Sequence, residues 1–347
     1  MSFDFTLLRL LLALSVVLAH FRELTGQHDA AFTALSATVA VQAFFVVSGW
    51  IVSASYEASS SAGAFFVRRM ARLYPLYAAV VLAQAAIAFA LVMPRPGAFE
   101  ELLQYLGANL AFANFLKPGF LDLLDGAPVG AINPSLWTMK VEVLFYLSVP
   151  LWVLLARRLG SGGLVLLFCA STAYATVVEA ASEELARQLP GQLRFFIAGM
   201  LCRRLWHPAP QAAPRRPLPL ALLGVAGMLL AQRFDQPGAM SALQPLFVAA
   251  FVAASARLLP RLPALPDLSF GVYLLHAPVI QFAQHAGVLP SGAAGLASVL
   301  AVTLLLSMAA NRWIEEPAIR AGARLSRRLS SPGAAQVAAI APLKEVK

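Results

Sequence analysis

Apolar runs separated by short polar loops recur along the whole chain. Ten of them, at roughly residues 5 to 21, 33 to 55, 73 to 93, 136 to 156, 162 to 180, 191 to 206, 218 to 232, 241 to 258, 268 to 286 and 294 to 314, read as helices crossing a hydrocarbon core of about 30 Å. The pattern predicts an all-α fold, a polytopic membrane bundle of about ten transmembrane helices over residues 1–328. Residues 329–347 are expected to form a disordered tail. The first run, Phe3 to Phe21, has no basic segment ahead of it and no small-residue cleavage site behind it, so it is expected to stay as the first span. Two connections stand apart. Residues 94–135 form the longest loop, with an amphipathic piece from Glu100 to Leu116, and are expected to line or cover a substrate entrance. Residues 207–217, HPAPQAAPRRP, read as a Pro-rich linker dividing the spans six and four.

Composition sharpens this picture. Apolar residues make up 59% of the chain and charged residues 12%, about half the usual charged share, so water is not its main solvent. The net charge of +9 does not indicate a nucleic-acid binder, because the basic residues sit in loops between spans instead of forming a separate basic domain. The pairs Arg157–Arg158, Arg203–Arg204 and Arg215–Arg216 fall with Arg68, Arg69 and Arg72 on one side of the proposed bilayer. Inside-positive asymmetry then puts both termini in the cytoplasm. Cys169 and Cys202 both lie within apolar runs, which argues against a disulfide framework or a zinc site and for core packing. No metal is expected.

Against this background, ionisable residues within or beside the spans are candidates for chemistry. Arg68, Arg69 and Arg72 fall within five residues, and three guanidinium groups at the mouth of a helix suit a polyphosphate through paired hydrogen bonds. Ordinary flanking charge is the competing reading. Arg9 and His20 are eleven residues apart, which places them on nearly one helical face, about 16 Å apart along the axis. Arg9 suits either snorkelling or function. His20 suits either a hydrogen-bonded core position or a proton acceptor. In NPSLWTMKVEVLFY, Glu142 needs a partner or a watery cavity, with Lys140 nearby and Tyr146 one turn on; it braces helices, orients a catalytic group or binds the acceptor. His276, just before Pro278, reads first as a packing residue. His28, His207 and His285 have no evident partner, and Ser48–Gly49 in FFVVSGW is a small pair that suits close helix approach or lines a cavity. Glu315 and Glu316 in RWIEEP are expected to pair with nearby Arg in a structural role.

Taken in order, these pieces resemble the acyltransferase 3 family of bacterial integral membrane proteins. The likeness spans about residues 3–320 and rests on Arg9 and His20 in the first span, then FFVVSG, RRMARLYP, SLWTMKVEVLFY, YLLHAP and IEEP. The resemblance implies a multi-pass enzyme of the bacterial cytoplasmic (inner) membrane. It would move an acyl group, commonly acetyl, from cytoplasmic acyl-coenzyme A to a hydroxyl of a carbohydrate such as an exopolysaccharide, an O-antigen unit or another lipid-linked glycan. By the same likeness Arg69 and Arg72, with Arg68 as a further candidate, would hold the phosphates of coenzyme A. Arg9 and His20 would form the catalytic pair with His20 as base, an acyl-histidine intermediate being the variant route, and Glu142 would take the family's acidic position. The chain departs from the family's common LDGLRA start, carrying FDFTLLRLLLALS instead, and has Ala40 where Gly is frequent. A proton-coupled transporter or flippase of a polar solute is the alternative that intramembrane Arg, His and Glu also suit.

Overall fold

The computed structural model describes residues 4–27, 36–206, 217–233, 239–260 and 266–330, and among these it is helical with no strand. The helices are α1 (Thr6–Thr25), α2 (Ala37–Glu57), α3 (Ala62–Val92), α4 (Ala98–Leu110), α5 (Trp137–Glu179), the single turn α6 (Glu183–Ala186), α7 (Leu189–Trp206), α8 (Pro217–Arg233), α9 (Ala239–Leu258), α10 (Ser269–His285), α11 (Gly292–Ala310) and α12 (Glu316–Ser330). Each of the ten apolar runs falls on a helix over its described residues. Five stretches, within α2, α3, α5, α9 and the continuous α11–α12 helix, are long and apolar enough to cross a membrane by length and composition. Large apolar side chains such as Leu166 and Val177 face outward along the bundle, a surface ill-suited to water.

Three features of the chain explain the arrangement. The two runs 136–156 and 162–180 form one long element, α5, broken at Gly160, whose positive φ of 66° needs a residue without Cβ. α2 and α7 cross closely through Gly49 and Gly199: a Cβ on either would collide with the other helix's backbone, at Phe196 and Val46 respectively. The small pair in FFVVSGW therefore does permit close helix approach. Phe45, Phe196 and Phe145 stack over this crossing, with centroids 4.6 and 3.9 Å apart, and lock α2, α7 and α5 together. Gly199→Ala forces these backbones apart, at a cost of at least about 1–3 kcal/mol. A fall of several degrees in the melting temperature of the purified protein is expected, and an unchanged value would show that the crossing is looser than described.

α1 lies against α2 and α10, with α11 behind, and α12 packs along α3. α3 begins eleven residues before the predicted span, so Arg68, Arg69 and Arg72 stand on its first turns and not in a loop ahead of it. Arg203 pairs with Glu57 at 2.6 Å and Arg204 donates to the Ala156 carbonyl at 3.0 Å, so the ends expected to share one side do meet at one end of the bundle. At the opposite end, segment 94–135 packs by its own core, Tyr105, Phe120 and Ile132, on α3. Gln281 holds the segment to α10, donating to the Val129 and Ala131 carbonyls at 2.9 and 2.8 Å.

Some expectations change. Cys169 is exposed on the outer face of α5, so only Cys202 packs against the core. Leu329 and Ser330 continue α12, while the remaining tail, the linker at 207–216, His28 and His207 lie outside the described residues. Glu316 pairs with Arg320 as expected. Glu315 makes no ion pair among the described residues: it is 1% exposed, and neither carboxylate oxygen has a hydrogen-bond partner there.

Candidate active site

α1 and α10 run in the same direction, joined by polar contacts at the lead-in to α10 and again midway along it. At one end Arg9 and Arg72 converge on Asp267, just ahead of α10: Arg9 donates to its Oδ2, and Arg72 Nη2 reaches the same oxygen at 2.6 Å. Asp267 Oδ1 accepts from Ser269, which fixes the carboxylate as the lead-in to the helix. Burial acts to raise the Asp267 carboxyl, but the Arg9 and Arg72 guanidiniums and the Ser269 donors outweigh it and hold it below the ordinary carboxylate range. Because its folded value is depressed, the clamp is intact above the unfolded value of about 3.9 and is lost only as pH falls through the folded value. Asp267→Ala leaves two half-buried cations without their carboxylate. We expect a loss of stability toward the lower end of about 3–5 kcal/mol, read as a fall in melting temperature.

A cavity of about 210 Å³ opens between α1, α2, α3, α5 and α10. Its polar wall carries Arg9, Arg69, Arg72, Ser48, Glu142 and Tyr146; much of the rest is apolar. Ser48, beside the α2–α7 crossing, donates to Glu142 Oε1 at 2.6 Å. Lys140 does not join them, lying over the Phe115 ring 4.3 Å from its centroid. Arg69 makes no ion pair among the described residues, and its buried Nε lacks a hydrogen-bond partner. Arg68 is placed elsewhere. Helical geometry sets it about 100° round from Arg69, and it donates to Ser59 and Ser326 instead of lining the cavity.

His20 stands on the same side of α1 as Arg9, as the spacing predicts, but off the cavity wall. It is 8% exposed, and its Nδ1 lies 2.8 Å from Nε2 of the fully buried His276. Ser135 Oγ stands 3.5 Å from both nitrogens. Between this pair and the cavity lie Thr138 and Tyr273. Their hydroxyls are 2.8 Å apart, and they reach the Ser135 carbonyl at 3.0 and 3.3 Å. The tertiary structure thus brings together Arg9, Arg69, Arg72 and Glu142 at one cavity and sets His20 beyond a two-residue partition.

Asp267, Ser135 and the pairing of His276 with His20 escape a reading of local spacing. A faint signal for Asp267 is an acidic residue two positions before Ser269, at the very start of an apolar run. Ser135 is delivered by segment 94–135, where Asn133 anchors the chain to the Leu274 carbonyl at 2.9 Å.

A family model described as an acyltransferase domain matches residues 3–312. The chain belongs to the acyltransferase 3 family. This acyltransferase is 28% identical over 313 residues to Nodulation protein 10 of Rhizobium leguminosarum bv. viciae, a match covering 80% of this chain and 82% of that protein. It is 29% identical over 123 residues to Acyltransferase MdmB of Streptomyces mycarofaciens, covering 35% and 30% of the two chains. It is 30% identical over 149 residues to Protein 2 in picA locus of Rhizobium radiobacter, covering 41% and 69%. No solved structure matches the acyltransferase.

Proposed function

We propose that this acyltransferase is embedded in the bacterial cytoplasmic membrane and transfers an acyl group, acetyl in the first instance, from cytoplasmic acyl-coenzyme A to a carbohydrate hydroxyl of an exopolysaccharide or O-antigen unit. The carrying observation is Arg69. A guanidinium with no ion pair among the described residues, on a largely apolar cavity that it shares with Arg72, Arg9 and Glu142, is set up for an incoming phosphate. The cavity is smaller than the roughly 300–1,000 Å³ of a typical ligand pocket. It therefore suits the leading arm of the donor, with the nucleotide end remaining outside at the Arg-rich rim.

In this reading His20 takes the proton of the acceptor hydroxyl as its oxygen forms a bond to the thioester carbonyl. The carbon–sulfur bond then breaks, and coenzyme A leaves as the thiol after taking that proton from the His20 imidazolium. Arg9 and Glu142 orient the donor arm, Glu142 being held by Ser48. Because Thr138 and Tyr273 partition the cavity from His20, the reaction requires these two side chains to part when the donor is bound. The apolar outer faces and the gathering of Arg pairs at one end support the membrane setting and the cytoplasmic entry of the donor.

Purified protein given radiolabelled acetyl-coenzyme A and candidate glycans is expected to release coenzyme A and label the glycan. Deleting the gene should lower the acetyl content of the surface polysaccharide. Solute movement across proteoliposomes without acetyl-coenzyme A turnover would instead favour transport and overturn the proposal.

A further inference from the structure

We infer that His276 is a positioning residue that sets the tautomer of His20 and so makes His20 Nε2 the atom that accepts the proton; this rests on the reading of His20 as the base. The hydrogen bonds of the two rings fix where their protons sit. His276 Nδ1 lies 3.0 Å from the Val272 carbonyl oxygen, which can only accept, so Nδ1 carries the hydrogen. No carboxylate pairs with His276 among the described residues and the ring is fully buried, conditions that keep it neutral. A neutral ring protonated on Nδ1 has its lone pair on Nε2. That Nε2 faces His20 Nδ1 at 2.8 Å, with the ring planes inclined by only 22°. His20 Nδ1 must therefore be the donor, which leaves the lone pair on His20 Nε2.

Nothing described holds a hydrogen on that second nitrogen. The closest carboxylate, Glu23, is 3.9 Å away, beyond hydrogen-bond reach. The anchor matters because unconstrained imidazole favours the opposite tautomer, with its proton on Nε2. Once His20 Nε2 takes the acceptor's proton, the imidazolium keeps its Nδ1–H bond to His276. The orienter is thus a neutral imidazole occupying the place a carboxylate takes in many base-plus-orienter pairs. Ser135 Oγ, 3.5 Å from both nitrogens, makes the longer contacts and does not determine the direction of the bond.

The test uses the full-length protein in detergent or nanodiscs. His276→Leu removes the acceptor while keeping an apolar bulk; His276→Gln restores an acceptor oxygen near the position of Nε2. We expect kcat for acetyl transfer from acetyl-coenzyme A to fall by about 10²-fold or more in H276L, with the KM for acetyl-coenzyme A nearly unchanged, and to recover substantially in H276Q. The chain has five histidines, so nitrogen-15 labelling of histidine gives a resolvable spectrum, with His20 assigned by its loss in H20Q. Wild-type His20 should carry its hydrogen on Nδ1, and H276L should lose that preference. A hydrogen on Nε2 in the wild type, or a fully active H276L, overturns the inference. If H276L does not fold, the wild-type spectrum alone decides. Should H20A itself retain full activity, the reading of His20 as base fails, whereas an inactive H20A beside an active H276L removes only the role of His276.

Discussion

Replacing His20 with alanine is expected to lower kcat for acyl transfer by about 10²- to 10⁴-fold, the range a positioned general base contributes. The side chain is buried, so truncation also leaves a small void and strips His276 Nε2 of its close partner. Some loss of stability follows, and the activity comparison must be made on protein that still elutes as a single folded species. The discriminating measurement is coenzyme A affinity. Because His20 lies off the cavity wall, H20A should bind coenzyme A as the wild type does while transferring almost nothing. Full transfer by H20A would eliminate the base mechanism.

The second large effect concerns the donor. Arg69→Ala combined with Arg72→Ala removes two charge-assisted contacts of about 1.5–3 kcal/mol each. With about 1.4 kcal/mol per factor of ten, the Kd for coenzyme A should rise by roughly 10²- to 10⁴-fold. The two residues are not equivalent. Arg72 already holds Asp267 at 2.6 Å and must exchange or share that carboxylate to take a phosphate, whereas Arg69 has no ion pair among the described residues to give up. Arg69→Ala alone should therefore weaken binding more than Arg72→Ala alone. Arg68→Ala, its side chain engaged by Ser59 and Ser326, should weaken it least. Calorimetric titration with coenzyme A measures all three, and equal affinities in the wild type and the double variant would dismiss the phosphate seat.

The Arg9–His20 spacing, the Arg cluster and Glu142 were recognisable because an α-helix repeats every 3.6 residues, so residues on one stretch report their shared face. The same periodicity could not rank Arg68 against Arg69. Which of two faces looks into a cavity depends on what packs there, and α12, whose Ser326 takes Arg68, lies 258 residues downstream. Glu315 shows the opposite failure. Its position beside many Arg residues suggested a pair, but burial at the junction between α11 and α12 leaves its oxygens without hydrogen-bond partners among the described residues.

By itself the sequence determined an all-helical chain with membrane-length apolar helices and the acyltransferase 3 family, because runs of apolar residues and helical spacing are local properties. Only the tertiary structure decided that Asp267 clamps Arg9 and Arg72, that Thr138 and Tyr273 separate the cavity from His20, and that His276 faces His20. The residues of the last pair are 256 positions apart. A hydrogen bond between parallel helices depends on their relative rotation and depth, and those are set by the packing of the whole bundle, which no single stretch of sequence encodes.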